Sequence, residues 1–304
     1  MALTFYNIKK WLKMLSGKSI LHVNQDVGKC YSFDSIKGYY NDLTEKVLLD
    51  KKNYDSTSVI KAEDGVNKKP YYFSIAIFQY GLASYDLFLS TGDKLMEAKF
   101  TSHLKWAYEN QNKDGSWDTF NQINKDSPYS SMAQGEGASL LIRGYIHTKN
   151  KCYLDAAYKA IHFMITPVSS GGTALCVNDD IYFLEFTYLP CVFNGWIFSI
   201  FGLMDYCILT KNNEYLSILA KTLNTLEKNL QRMDCGYWSK YDLGKRISSP
   251  FYHKLHIAQL KVLYKYTNKT IYRDYYEKFE KYQSKKSFRN KALRKKAFQK
   301  VFSR

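Results

Sequence analysis

From Pro70 to Tyr266 the chain carries seven segments whose apolar residues recur at helical spacing, a pattern that restricts it to helix-on-helix packing. They are Tyr72–Leu89, Leu95–Asn110, Met132–His147, Tyr153–Thr166, Phe193–Thr210, Glu214–Arg232 and Tyr252–Tyr266. Polar or glycine-bearing links separate them: Lys113-Asp114-Gly115-Ser116, Ser169-Ser170-Gly171-Gly172 and Asp234-Cys235-Gly236. Strand-like alternation is confined to short pieces, Ala174–Val177 and Tyr237–Tyr241. The expected fold class is mainly α: helical hairpins wound into an α/α-toroid, an incomplete barrel whose mouth is lined by the loops at one end. Three regions are expected: an irregular lead-in with short elements over 1–69, the helical domain over 70–283, and a tail over 284–304.

Charge separates the tail from the rest. Lys and Arg number 44 against 28 Asp and Glu, a net charge of +16. Nine of these cations, and no acid, lie in 284–304, which leaves +7 for the remainder. In the tail Leu293, Ala297 and Val301 recur at i, i+4 with Phe298 and Phe302 beside them. Such a basic amphipathic helix suits an anionic membrane surface or a partner in capsule synthesis, and equally suits docking on its own domain. A strong positive balance asks for a polyanion: nucleic acid, anionic lipid or acidic polysaccharide. Nucleic acid is not expected, because the cations concentrate in the tail rather than along a recognition module.

The apolar stretch Pro190–Met204 is interrupted by Asn194, Gly195 and Ser199, so no segment reads as a bilayer span of roughly 20 residues. Met1–Leu21 lacks a compact apolar run, so no signal peptide is read. The expected location is cytoplasmic, peripheral at the inner face of the membrane, with a homodimer as one expected assembly. The six cysteines show no CxxC spacing and read as reduced thiols. The 27 Tyr, 18 Phe and 5 Trp suit stacking on flat ligands, and the loops hold Trp117, Trp238, Tyr237, Tyr241, Tyr252, Glu185, Asp118 and Asp242. Aromatic faces pack on the C–H side of a sugar while carboxylates bind its hydroxyls. Each aromatic taken alone also fits a core.

Four segments, in order, carry a family resemblance. They are Tyr72-Phe73-Ser74-Ile75-Ala76-Ile77-Phe78-Gln79-Tyr80-Gly81-Leu82, then Ser131-Met132-Ala133-Gln134-Gly135-Glu136-Gly137-Ala138-Ser139-Leu140-Leu141-Ile142-Arg143-Gly144-Tyr145. The third is Val192-Phe193-Asn194-Gly195-Trp196 continuing to Gly202-Leu203-Met204-Asp205, and the fourth is Tyr241-Asp242-Leu243 followed by Tyr252-His253-Lys254-Leu255-His256-Ile257-Ala258-Gln259-Leu260. Together they resemble the C-terminal catalytic domain of D-glucuronyl C5-epimerases, in a short microbial form; the lead-in resembles the family only faintly. The resemblance implies an isomerase that inverts C5 of D-glucuronate to L-iduronate in a heparosan-like polysaccharide, working without a cofactor or a metal. It matches Tyr252 to a proton-transfer tyrosine, Tyr241 to a second site tyrosine and Glu185 to the family carboxylate.

The remaining candidates surround these. Gln134 and Glu136 are expected sugar contacts, with Arg143, Tyr188, Trp117 and Trp238 as further substrate-binding groups. Asn194 reads equally as a hydroxyl ligand or a helix cap. A phenol is a poor base unless cations stabilise its anion, and His253, His256, Lys245 and Arg246 lie near enough in sequence to do so. His253-x-x-His256 is a weak metal signal without a third ligand. Two departures stand out: Phe186 follows Glu185 where the family has tyrosine, leaving Glu185 alone, Tyr188 or Tyr182 to act, or activity lost; and Gly244 occupies a family arginine position. A lyase on the same fold, or a glycan-binding or assembly protein without catalysis, are the alternatives.

Overall fold

The computed structural model describes residues 23–63 and 69–302, with side chains of the last helix described to residue 299. The readings of Met1–Leu21, and of the side chains of Val301 and Phe302, lie outside the described residues. A short α1 (Glu45–Leu48) precedes four antiparallel hairpins. These pair α2 (Ser74–Thr91) with α3 (Lys94–Glu109), α4 (Ser131–Thr148) with α5 (Lys151–Ile165), α6 (Phe193–Thr210) with α7 (Asn213–Asn229), and α8 (Pro250–Thr267) with α9 (Thr270–Ser284). The last helix is α10 (Lys286–Phe302). Two small antiparallel sheets complete the described residues: β1 (Ala62–Glu63) with β2 (Pro70–Tyr71), and β3 (Ala174–Val177) with β4 (Asp180–Phe183). The fold is mainly α.

The first helices of the hairpins pack side by side, α2 on α4, α4 on α6 and α6 on α8, and form the inner layer of an incomplete barrel. Their burial differs accordingly. Every residue of α6 from Phe193 to Ile208 is buried, whereas α9 buries only Tyr272, Phe279 and Tyr282. A helix enclosed on all sides is apolar all round, and an outer helix needs one apolar stripe. This corrects the reading of the chain as lacking any span-like segment: Phe193–Thr210 has 18 residues and a mean hydropathy of 1.2, and 89% of it is buried in the fold. Helices α4 and α6 cross closely. A Cβ on Gly202 would lie 2.3 Å from the Gly135 carbonyl oxygen, so the two backbones meet where neither has a side chain.

One corner joins inner to outer helix four times. Thr91, Thr148, Thr210 and Thr267 each donate a hydroxyl hydrogen bond to the carbonyl four residues back, at 2.7–2.8 Å. Each hydroxyl also accepts the N–H two residues on, from Asp93, Asn150, Asn212 and Lys269. The residue between adopts the left-handed conformation: Gly92, Lys149, Lys211 and Asn268. Asp93, Asn150 and Asn212 then cap the outgoing helix by accepting N–H bonds from Leu95, Cys152 and Glu214. Two-residue turns therefore occupy one end of the barrel. The long connections 110–130, 166–192 and 230–249 occupy the other, with the N-termini of the inner helices.

The lead-in closes the seam between α8 and α2. Lys254 Nζ donates to Asn24 Oδ1 (2.6 Å), Phe33 packs on Tyr266 (5.2 Å between ring centres), and α1 packs on α2. Tyr39 and Tyr40 are fully buried. The Tyr39 N–H donates to Asp86 Oδ1 (2.9 Å) and the Tyr40 hydroxyl to Asp205 Oδ1 (2.9 Å).

The tail forms α10, and it docks. Its inward face is Phe288, Ala292, Lys296 and Gln299, one helical stripe at i, i+4, i+8 and i+11. The expected stripe through Leu293 and Ala297 is not the docking face: Ala297 is exposed, and Phe298 is 56% exposed.

Candidate active site

The connections 166–192 and 230–249, with the first turn of α8, bring Glu185, Tyr241, Arg246 and Tyr252 to the loop end of the barrel. Glu185 follows β4, whose last residues are tied to the ring: the Leu184 N–H donates to Thr173 O and the Ser131 N–H to Leu184 O, both at 3.0 Å. Tyr241 and Arg246 belong to a hairpin over 239–248. The Tyr241 N–H donates to Arg246 O (2.8 Å) and the Ser248 N–H to Ser239 O (3.1 Å). The predicted strand at Tyr237–Tyr241 is thus one arm of this hairpin, joined through the Lys240–Ile247 bridge. Asp242 makes its turn, accepting the Gly244 N–H at 2.9 Å while its other oxygen pairs with Arg246 Nε. The hairpin is stitched to the start of α6 by Phe193 N–H to Tyr241 O (2.9 Å) and Leu243 N–H to Cys191 O (3.0 Å). Tyr252 lies in the first turn of α8, capped by Ser249.

Burial dominates the electrostatics. It pushes the Glu185 carboxyl up to about 7, against the opposing pull of Arg246, and Glu185 Oε2 is buried without a hydrogen-bond partner. Burial and the nearby Glu185 raise both phenols above their ordinary range. A hydrogen bond from Tyr241 works the other way on Tyr252, favouring its anion. The two rings meet edge to face, 5.0 Å between centres, and the Arg246 guanidinium stands 5.0 Å from the Tyr241 ring centre. Arg246 Nη2 is buried and unpaired. A carboxyl that titrates near neutrality, two neutral phenols and a guanidinium thus share one site. That set can remove a proton, return one, and neutralise a carboxylate substituent.

Of the two cations that follow Gly244, Arg246 is the one beside Tyr241 and Glu185. Lys245 is exposed and contributes its carbonyl to α10. The histidines do not supply charge. His253 is fully buried, with Nδ1 2.8 Å from Ser239 Oγ and Nε2 3.0 Å from Phe279 O, and burial lowers it to about 3. His256 Nδ1 meets the same hydroxyl at 2.8 Å, and burial lowers it as well. Both imidazoles turn Nδ1 onto Ser239 Oγ, and burial favours the neutral form of each. Trp238 stacks on His253 at 3.7 Å and is buried.

Several expected sugar contacts lie in the interior. Gln134 donates to Gly115 O (2.8 Å) and Ala160 O (3.1 Å), tying α4 to its neighbours. Trp117 is a core residue whose Nε1 donates to Ala107 O (3.0 Å). Arg143 pairs with Asp205 (2.6 Å) and donates to Gly38 O (2.8 Å). It sits twelve residues into α4, about 18 Å from the helix start at 1.5 Å per residue, toward the tight-turn end. Each was read as a ligand group; each instead satisfies buried carbonyls or a buried carboxylate. Glu136 is fully buried, held by Gln79 Nε2 (2.8 Å) and pushed up to about 8 by burial, with Oε2 unpartnered. Asn194 does not cap α6, whose cap is Val192; its Oδ1 is buried and unpartnered.

Of the residues offered to replace the missing tyrosine, Tyr182 packs on Trp196 (5.1 Å) and contacts Asn229. Tyr188 is 45% exposed and meets Phe186 edge to face at 6.2 Å. Phe186 itself stacks on Phe120 at 4.3 Å. Sequence reasoning did not single out Gly195, which lies against Glu185, or Lys296 and Gln299, which bond to the 239–248 hairpin. Gly195 had a signal, a glycine interrupting an apolar helix start. Lys296 and Gln299 had none, being two of many polar residues in a basic run.

The profile of the D-glucuronyl C5-epimerase C-terminus family matches residues 101–281. The chain is 26% identical to a Caenorhabditis elegans D-glucuronyl C5-epimerase, in a match covering 53% of this chain and 31% of the worm protein. It is 31% identical to an uncharacterized protein of Methanocaldococcus jannaschii, over 49% of this chain and 50% of the archaeal one. The chain thus spans half or less of the length of these relatives. On the match across more than half of its residues, this chain belongs to the D-glucuronyl C5-epimerase C-terminus family.

Proposed function

We propose that the protein is a polysaccharide uronate C5-epimerase acting on D-glucuronate residues of an acidic polymer. The observation that carries the reading is Glu185: a buried carboxyl with a free oxygen, poised near neutrality beside two phenols and an unpaired arginine nitrogen. Inversion breaks the C5–H bond, and the electron pair enters the adjacent carboxylate to give an enediolate. Glu185 takes the proton on one face. The neutral Tyr252 phenol returns one to C5 from the other, its oxygen accepting the Tyr241 hydrogen bond as negative charge develops. Arg246 neutralises the substrate carboxylate while it gains charge. The reset moves a proton from Glu185 to Tyr252 through solvent. Glu185 serves alone on its face, so Phe186 is compatible with turnover.

The test is exchange. The full chain is incubated in heavy water with heparosan and with iduronate-containing polymers. Deuterium at C5, without an absorbance rise from an unsaturated product, is the expected result. An absorbance rise identifies a lyase, and no exchange in any glucuronate or iduronate polymer overturns the proposal.

A further inference from the structure

Helix α10 lies beyond the residues matched by the family profile, yet three of its hydrogen bonds end on the site hairpin. Gln299 reads two alternate backbone groups at once: its Oε1 accepts the Ile247 N–H (2.9 Å) and its Nε2 donates to Lys245 O (2.6 Å). That is the pairing a neighbouring strand would make, supplied by a single amide. One turn earlier, Lys296 Nζ donates to Ile247 O (2.5 Å) and stands 5.4 Å from the Tyr241 ring centre. The opposite arm of the hairpin is fixed by the start of α6, through the Phe193 and Leu243 bonds. The arm that carries Arg246 is bracketed by its hairpin bonds and by these contacts from α10. Arg246 sits between two residues whose carbonyls α10 holds.

We propose that α10 is a built part of the site, and that Lys296 and Gln299 are positioning residues that fix the 245–247 arm and so hold Arg246 against Tyr241. The helix then works as a brace on the hairpin, not as a tether that leaves it. A guanidinium that must meet a reacting carboxylate gains from a fixed backbone, because an ångström of misplacement costs on the order of 100-fold in rate. The inference rests on the epimerase reading for its kinetic part only.

The test compares full-length Lys296→Met, Gln299→Ala and Lys296→Arg with the wild type by two measurements. Amide hydrogen exchange over 239–249 is expected to quicken at least tenfold in K296M and Q299A, with α4 amides unchanged, and to stay near wild type in K296R. On heparosan, C5 deuterium exchange is expected to lose at least tenfold in kcat in the first two variants and to be restored in K296R. Unchanged hairpin exchange in both loosening variants overturns the brace. A loosened hairpin with undiminished kcat overturns the positioning role. If the wild type exchanges no C5 hydrogen, the epimerase reading fails, while the amide measurement still decides whether α10 braces the hairpin.

Discussion

Gly195 and Glu185 are in direct contact. A Cβ on Gly195 would lie 2.5 Å from Glu185 Oε2 and 2.8 Å from its Cβ, so the carboxyl lies against the first turn of α6 because residue 195 has no side chain. Gly195→Ala is expected to keep the fold, since alanine is the better helix former by about 1 kcal/mol. It should displace the carboxyl and lower kcat for C5 exchange by about 10- to 100-fold. A thermal melt beside the exchange assay checks both halves; full activity would show that Glu185 does not work from this position.

Glu185 also gives stability a pH dependence. Its folded value near 7 exceeds the ordinary 4.5, so between those values the folded state binds more protons than the unfolded one. Stability then falls as pH rises, by about 1.4 kcal/mol per pH unit for one group. Glu185→Gln is expected to match the wild type near pH 4 and to exceed it by up to about 3 kcal/mol at pH 8, while losing C5 exchange. Urea titrations at the two pH values measure this; equal stability at pH 8 would mean the carboxyl is ionised at little cost.

Tyr252→Phe removes only the phenol oxygen from a partly buried ring. The melting temperature should change little. C5 exchange should fall by about 10²- to 10⁴-fold, the usual worth of a positioned proton donor. Retained exchange would assign the proton to Tyr241 or to Tyr188, and the same substitution at those positions would then separate them.

Arg143 stands for the interior polar groups. Arg143→Met leaves Asp205 buried with its main partner gone, and about 3–5 kcal/mol of stability is expected to be lost. At temperatures where the variant stays folded, KM for the polymer should match the wild type. A raised KM without lost stability would return Arg143 to the substrate.

Seven of the eight hairpin helices were legible because a 3.6-residue period survives in sequence whatever the helix packs against: α2 to α8 follow the expected segments closely, and α9 was not among them. The roles of their polar residues were not. Gln134 and Arg143 read alike whether they face a sugar or a carbonyl. The carbonyls that decide the matter belong to Gly115 and Gly38, 19 and 105 positions away in the chain. Glu185, Tyr241 and Tyr252 were legible through motif resemblance, and the arginine shifted to 246 was one of several cations at hand. Docking of α10 was one of two expected outcomes, but its face was hidden for a different reason: the inward stripe includes a lysine and a glutamine, so hydrophobic periodicity pointed to the wrong one.

The fourfold threonine corner has a consequence for how such a molecule can change. Two residues at each tight turn, locked by the same hydroxyl bonds, leave no room for insertion, so each inner helix is held to its outer partner at that end. The opposite connections run 20 residues or more and carry no part of that duty. Rim loops can therefore be lengthened, exchanged or rebuilt around a different sugar chain while the barrel keeps its register. The chassis and the chemistry are separable along the barrel axis, and diversity among relatives should accumulate on one face only.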